Sequence, residues 1–122
     1  KSDKKLKQIK KNKPLEKSYD IFCYIDKIKK KIALTKNHNL GFLENFYLPL
    51  IRETKKKTNI RDWNFHSNFK NFISNKKLNI NLYYKYSSTL PIQSQWFSLK
   101  TNDEFIPSFT KNIFKQFKNF NL

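Results

Sequence analysis

Glycine is nearly missing from this chain, with one residue in 122. A Gly-rich loop that cradles phosphates with its backbone therefore cannot be built. A single cysteine excludes an intramolecular disulfide and a zinc site of several cysteines. Methionine is absent, initiator included, as expected of a processed or trimmed chain. Acids are scarce: 9 Asp and Glu face 26 Lys and Arg, a formal charge of +17. The most apolar stretch, Leu40 to Ile51, is broken by Glu44, Asn45 and Pro49. It falls short of the ~20 apolar residues that a membrane-crossing helix needs. Catalytic sets are equally thin, since His38 and His66 are the only histidines. Cys23 sits in an alternating apolar run and reads as a small buried hydrophobe, while Glu44 and Glu53 read as lone helix-surface charges. The expectation is a chain that is not an enzyme, with no metal, no cofactor and no small-molecule substrate.

What is present points to a folded polyanion binder. Aromatic residues make up 16%, 12 of the residues being Phe, whereas disordered chains are poor in them. Hydrophobic residues at 38% suffice for one small core. Lys (24), Asn (15), Ile (12) and Phe (12) together fill 63 of 122 positions. Their codons are mostly or wholly A and T, which suggests a strongly AT-biased genome such as an organelle's. Codon bias accounts for Lys over Arg, but not for so few acids. The excess charge therefore points to a polyanion, nucleic acid ahead of an anionic membrane surface and of codon drift on a chain with protein partners alone.

Charge falls along the chain, from net +9 over residues 1–36 to +6 over 37–85 and +2 over 86–122. Residues 1–17 read as a basic flexible arm, leaving 18–122 as one α+β domain with a possible insertion at 61–77. Ile21, Cys23 and Ile25 predict a short buried strand, and Ile32 and Leu34 another that ends in the polar turn Asn37-His38-Asn39. Leu40, Leu43, Tyr47, Leu50 and Ile51 predict a helix, kinked or restarted at Pro49. Phe65, Phe69, Phe72 and Ile73 predict a second, short helix. From Leu78 to Tyr86 apolar residues alternate with Asn79, Asn81 and Lys85, the clearest strand in the chain. A break at Ser87–Pro91 and a run through Trp96, Phe97 and Leu99 suggest a long hairpin. Phe109, Ile113, Phe117 and Phe120 then suggest an amphipathic helix packed across the sheet or against a neighbouring protein, burying those side chains; the alternative is that they continue the hairpin.

Basic side chains interleaved with aromatics are what RNA binding uses, with lysines on phosphates and bases stacked on rings. His38, Trp63, Tyr86 and Trp96 stand at turns and tips where a ring can stack; the alternative for each is a place in the core.

Lys31 to Phe46, with its polar turn at His38 and the tetrapeptide Phe42-Leu43-Glu44-Asn45, resembles the first strand and helix opening of small-subunit ribosomal protein ten. Leu90-Pro91, then Trp96 to Thr101, and later Gln116-Phe117, resemble the same family in the same order. The matches cover about 40 residues. The family's Ser-Pro-His is Thr101-Asn102-Asp103 here, its Arg before Gln-Phe is missing, and the chain stops where the family continues.

The resemblance implies a ferredoxin-like α+β domain with a long β-hairpin, in the small-subunit head of a mitochondrial or other organellar ribosome. Ribosomal RNA and the head proteins three and fourteen would be its partners, with no membrane. RNA contacts are expected from Lys10, Lys11 and Lys13 in the arm, and from Lys30, Lys31, Lys36 and His38 around the second strand. Lys55, Lys56 and Lys57, then Leu90, Pro91, Trp96 and Lys100 of the hairpin, complete the set. The alternatives are a mitoribosomal protein of another family, or an accessory subunit of a mitochondrial respiratory complex.

Overall fold

Alternation in the first strand fixes the whole architecture. In β1 (Leu15–Asp26) the odd residues Tyr19, Ile21, Cys23 and Ile25 are buried on one face of the sheet. The structure, a computed structural model, describes residues 15–38, 40–54, 60–73, 76–101 and 103–117. After β1 come β2 (Lys31–Lys36), β3 (Tyr47–Leu48), β4 (Leu50–Glu53), β5 (Asn64–Ile73), β6 (Lys76–Tyr86), β7 (Ser94–Ser98) and the helix α1 (Ser108–Gln116).

The seven strands form one mixed sheet in the order β3-β2-β1-β6-β5, with β4 paired to β1 and β7 to β2. Its centre is the parallel pair β1–β6, in register from Leu15 opposite Lys76 to Ile25 opposite Tyr86. Leu78, Ile80 and Leu82 thereby join Tyr19, Ile21 and Cys23 on one buried face. The other edge of β1 is shared: β4 pairs Tyr19 to Phe22, and β2 pairs Ile25 and Asp26.

α1 and the residue after it cover the buried face with Phe109, Ile113 and Phe117, as the apolar spacing predicts, and also with Phe114; Phe120 lies outside the described residues. Thr110 anchors it, its hydroxyl donating to the Tyr47 carbonyl at 2.7 Å, and Asn112 donates to the Asn71 side chain at 3.0 Å. Pro107, extended at φ −74°, precedes the first turn and supplies no side-chain cap.

Several expected elements are corrected. The fold is α+β but not ferredoxin-like, because a parallel pair sits at the centre of a seven-stranded sheet and the described residues contain one helix. The helix expected from Leu40 onward is a loop followed by β3 and β4, which Pro49 separates. The helix expected around Phe65–Ile73 is β5. β6 and β7 form no hairpin: β6 lies between β1 and β5, whereas β7 pairs with β2, Ala33 opposite Trp96.

Candidate functional site

A cleft of about 160 Å³ opens at the start of the parallel pair, lined by Lys17 and Tyr19 of β1, Lys76 and Leu78 of β6, and Leu40. Lys17 stands opposite Leu78 in the β1–β6 register, and Lys76 opposite Leu15, so both lysines reach the cleft's side of the sheet. Leu40 belongs to the loop between β2 and β3, which closes the third side. Its Phe42 packs edge-on against Tyr19, ring centroids 5.8 Å apart, and the Lys76 ammonium lies 5.1 Å over the Phe42 ring.

This loop holds its shape through left-handed residues and one buried amide. Gly41, Leu43 and Asn45 have φ of 78°, 52° and 68°. Only at Gly41 is that conformation free of a Cβ penalty. Asn37, 8% exposed, offsets the cost by donating its side-chain amide to the Phe42 carbonyl at 2.7 Å and to the Leu43 carbonyl at 2.9 Å. Its backbone N–H donates to the Phe46 carbonyl, and its own carbonyl accepts from Asn45. The Glu44 carboxylate accepts from the Gly41 N–H at 3.3 Å.

Electrostatically the cleft is cationic around an aromatic wall. Burial, reinforced by the nearby Glu53 charge, raises the Tyr19 phenol pKa, so the hydroxyl stays protonated and neutral. Glu16, next to Lys17 in sequence, pairs instead with Lys70 at 3.8 Å. Among the described residues no group of three or more His, Cys, Asp or Glu side chains is gathered where a metal ion would be held. The residues fit an anionic ligand with a planar or apolar end, and do not fit a carboxylate-held cation.

The side chains singled out from the sequence lie elsewhere. Lys10, Lys11, Lys13, Lys55, Lys56 and Lys57 are outside the described residues. Lys30, in the β1–β2 turn at φ 55°, shares one end of the β2–β7 pair with Lys31 and Lys100. Lys36 and the exposed His38 stand at the other end. There Thr35 donates to the Gln93 carbonyl, which brings the connector carrying Leu90 and Pro91 close to β2. Trp96 is half-buried on β7. None of the described ones among them lines the cleft. Lys17, Tyr19 and Lys76 were missed, yet Lys17 and Tyr19 continue the alternation of Ile21, Cys23 and Ile25. Extending the strand by two steps would have placed them.

No family model and no curated protein matches the chain. Solved structures do. A MutT NUDIX hydrolase from Burkholderia pseudomallei superposes with a TM-score of 0.67 at 9% identity, over 83% of this chain and 97% of that one. The MutT protein from Methanosarcina mazei Go1 gives 0.63 at 13% identity, over 86% and 94%. The Ap4A hydrolase of C. elegans gives 0.57 at 10% identity, over 89% and 99%. These neighbours overturn the resemblance to ribosomal protein ten and, with it, the expected role as a structural constituent of a small ribosomal subunit. The expectation of a non-enzymatic chain whose partners are ribosomal RNA and head proteins, with no small-molecule substrate, is overturned by the same finding, since these neighbours are a NUDIX hydrolase, a MutT protein and an Ap4A hydrolase. In its mixed seven-stranded sheet with one helix among the described residues, the chain has a NUDIX-like fold.

Proposed function

We propose that the chain binds a phosphorylated nucleotide in the cleft between β1, β6 and the Phe42 loop. The observation that carries this is that Lys17 and Lys76 line one cleft together with Tyr19 and Leu40, Phe42 packing behind Tyr19. Its support from the comparisons is that the fold is shared with nucleotide hydrolases, one of them named for Ap4A. A volume of about 160 Å³ is below the ~300–1,000 Å³ of pockets that enclose a whole drug-sized ligand. The cleft therefore takes one end of the nucleotide, and the rest lies along the surface. Phosphate oxygens accept from the two ammonium groups, and Tyr19 and Leu40 meet the ligand's apolar part, with Phe42 backing Tyr19 from behind. No catalytic step is assigned, because the described acids are not arranged to hold a divalent metal.

Titration calorimetry with adenosine diphosphate, and with adenosine as the phosphate-free control, tests the reading. The diphosphate is expected to bind and adenosine to bind much more weakly. Lys76→Ala should weaken diphosphate binding by about tenfold or more, the scale of a lost charge-assisted hydrogen bond. Lys17, more exposed, should matter less. Phosphate release measured in the same samples with Mg²⁺ or Mn²⁺ reports whether bound nucleotide is hydrolysed. Equal affinity for adenosine and the diphosphate would refute the assignment.

A further inference from the structure

The face of the sheet opposite α1 carries its own chemistry. Here the even residues of β1 meet the odd residues of β6: Phe22 lies beside Tyr83 and Asp20 beside Asn81. The Phe22 and Tyr83 rings stack with centroids 5.4 Å apart, and Trp63 leans on both Phe22 (5.0 Å) and Tyr24 (4.9 Å). Phe65 sits edge-on to Tyr83, yet is itself 58% exposed, and Phe72, at the far end of β5, is 63% exposed. At ~3.3 Å per residue, these two rings stand about 20–25 Å apart along the strand. Among the described residues no helix covers this face; α1 packs on the other one.

Cations frame the rings. Arg52 lies 4.7 Å over Phe22 and Lys85 lies 5.4 Å over Trp63. Neither makes an ion pair among the described residues. The acids that β1 places on this face are engaged: Asp20 accepts from Thr54 (2.9 Å) and Asn81 (3.1 Å), Asp26 accepts from the backbone N–H groups of Ile28 and Lys29, and Glu16 holds Lys70. Asp20, Asn81 and Asn68 form a row across β1, β6 and β5 on this face, in which Asn68 donates to Asn81 at 2.8 Å. A surface with exposed rings, unneutralised cations and side-chain amides is complementary to unpaired bases on a phosphate backbone. A duplex hides its bases and would leave Phe65 and Phe72 without partners.

We propose that this face binds single-stranded nucleic acid. Phe65, Phe72 and Trp63 offer stacking platforms, and Arg52, Lys77 and Lys85 contact phosphates. The face lies on the opposite side of β1 from the cleft, so the proposal stands apart from nucleotide binding there, and the two fail separately.

Fluorescence anisotropy of the full chain with a labelled 12-nucleotide strand tests it. Phe65→Ala with Phe72→Ala should weaken binding by about five- to a hundredfold for each ring that stacks, at unchanged far-ultraviolet circular dichroism. Arg52→Ala with Lys85→Ala should lower the slope of log affinity against log salt by about 1.4, roughly 0.7 per phosphate contact. Lys76→Ala in the cleft should leave strand binding within about twofold. Should the double Phe variant fold poorly, Trp63 serves within otherwise native protein: with Trp96→Phe removing the second indole, strand binding should quench the remaining fluorescence. A double Phe variant that folds and binds as tightly as the native chain overturns the proposal. So does an unquenched Trp63, or displacement of the strand by polyglutamate of equal charge at equal concentration, which would mark a general docking surface for acidic proteins.

Discussion

His66 shows how a single side chain is set by the irregularity that holds it. A bulge in β5 between Phe65 and Ser67 turns its ring to the α1 side, 4.7 Å from the Phe117 ring and 6.2 Å from Tyr84. Burial lowers its pKa from the ordinary 6.5, opposed by a weaker hydrogen bond to the Gln116 backbone. The unfolded chain therefore takes up a proton at higher pH than the folded one. The stability associated with neutral His66 is complete above about pH 6.5 and is lost as pH falls toward the folded pKa. Melting temperature should drop between pH 7.5 and 5.5, and His66→Gln should flatten that drop. Cys23 is the second such residue: fully buried, its thiol pKa is pushed far up by desolvation. As the sequence suggested, it packs as a small hydrophobe, so native protein should resist alkylation that denatured protein undergoes. Asn37→Ala, which strips two loop carbonyls of their buried donor, should cost about 1–3 kcal/mol in denaturant titrations. It should also weaken nucleotide binding, because Phe42 loses its support.

Among the elements, strands with an unbroken row of core residues on one face were readable, and those whose large apolar residues split irregularly between faces were not. β1 (Tyr19, Ile21, Cys23, Ile25) and β6 (Leu78, Ile80, Leu82) carry such a row beneath α1 and the Phe42 loop, although Phe22 and Tyr83 are also buried on the opposite face. β5 lies at the edge of the sheet, with Phe69 and Ile73 against the core and Phe65 and Phe72 on the open side. Split across two faces and offset by the bulge, these four residues imitate a helical period. Leu40, Leu43 and Tyr47 imitated one too, but they are loop and strand-end residues drawn onto the core by Asn37 and by left-handed turns. The pairing of β7 with β2 spans about sixty residues, and no local pattern encodes it. The cleft was illegible for the same reason, since it joins β1, β6 and a loop that only this topology brings together. Two substitutions weigh the two kinds of face. Leu82→Ala, fully buried, should cost about 2–5 kcal/mol of folding stability. Phe72→Ala, 63% exposed, should stay within about 0.5 kcal/mol of native. Comparable losses at both sites would mean that the open face is packed against something in the free protein.

For the whole molecule, charge is the dominant unsatisfied quantity. A net +17 on 122 residues is held at shorter distances in the folded chain than in the unfolded one, so it opposes folding. Internal pairing relieves little of it: the Lys70–Glu16 bridge spans 3.8 Å with both side chains 51% exposed, a geometry that contributes about 0–1 kcal/mol. Screening should therefore stabilise the fold, because the Debye length shrinks from ~30 Å at 0.01 M salt to ~8 Å at 0.15 M. Each kcal/mol of repulsion removed should raise the melting temperature by about 3–6 °C for a chain of this size. Sodium chloride serves as the titrant, with melting followed by circular dichroism. A ligand that supplies the missing negative charge should do more than salt at equal ionic strength, because it binds only the folded state and adds its binding free energy to stability. A 12-nucleotide single strand at a hundred times its dissociation constant should add about 2.7 kcal/mol, hence roughly 8–16 °C at low salt. Melting that falls as sodium chloride rises would show instead that attractive pairs outweigh the net repulsion.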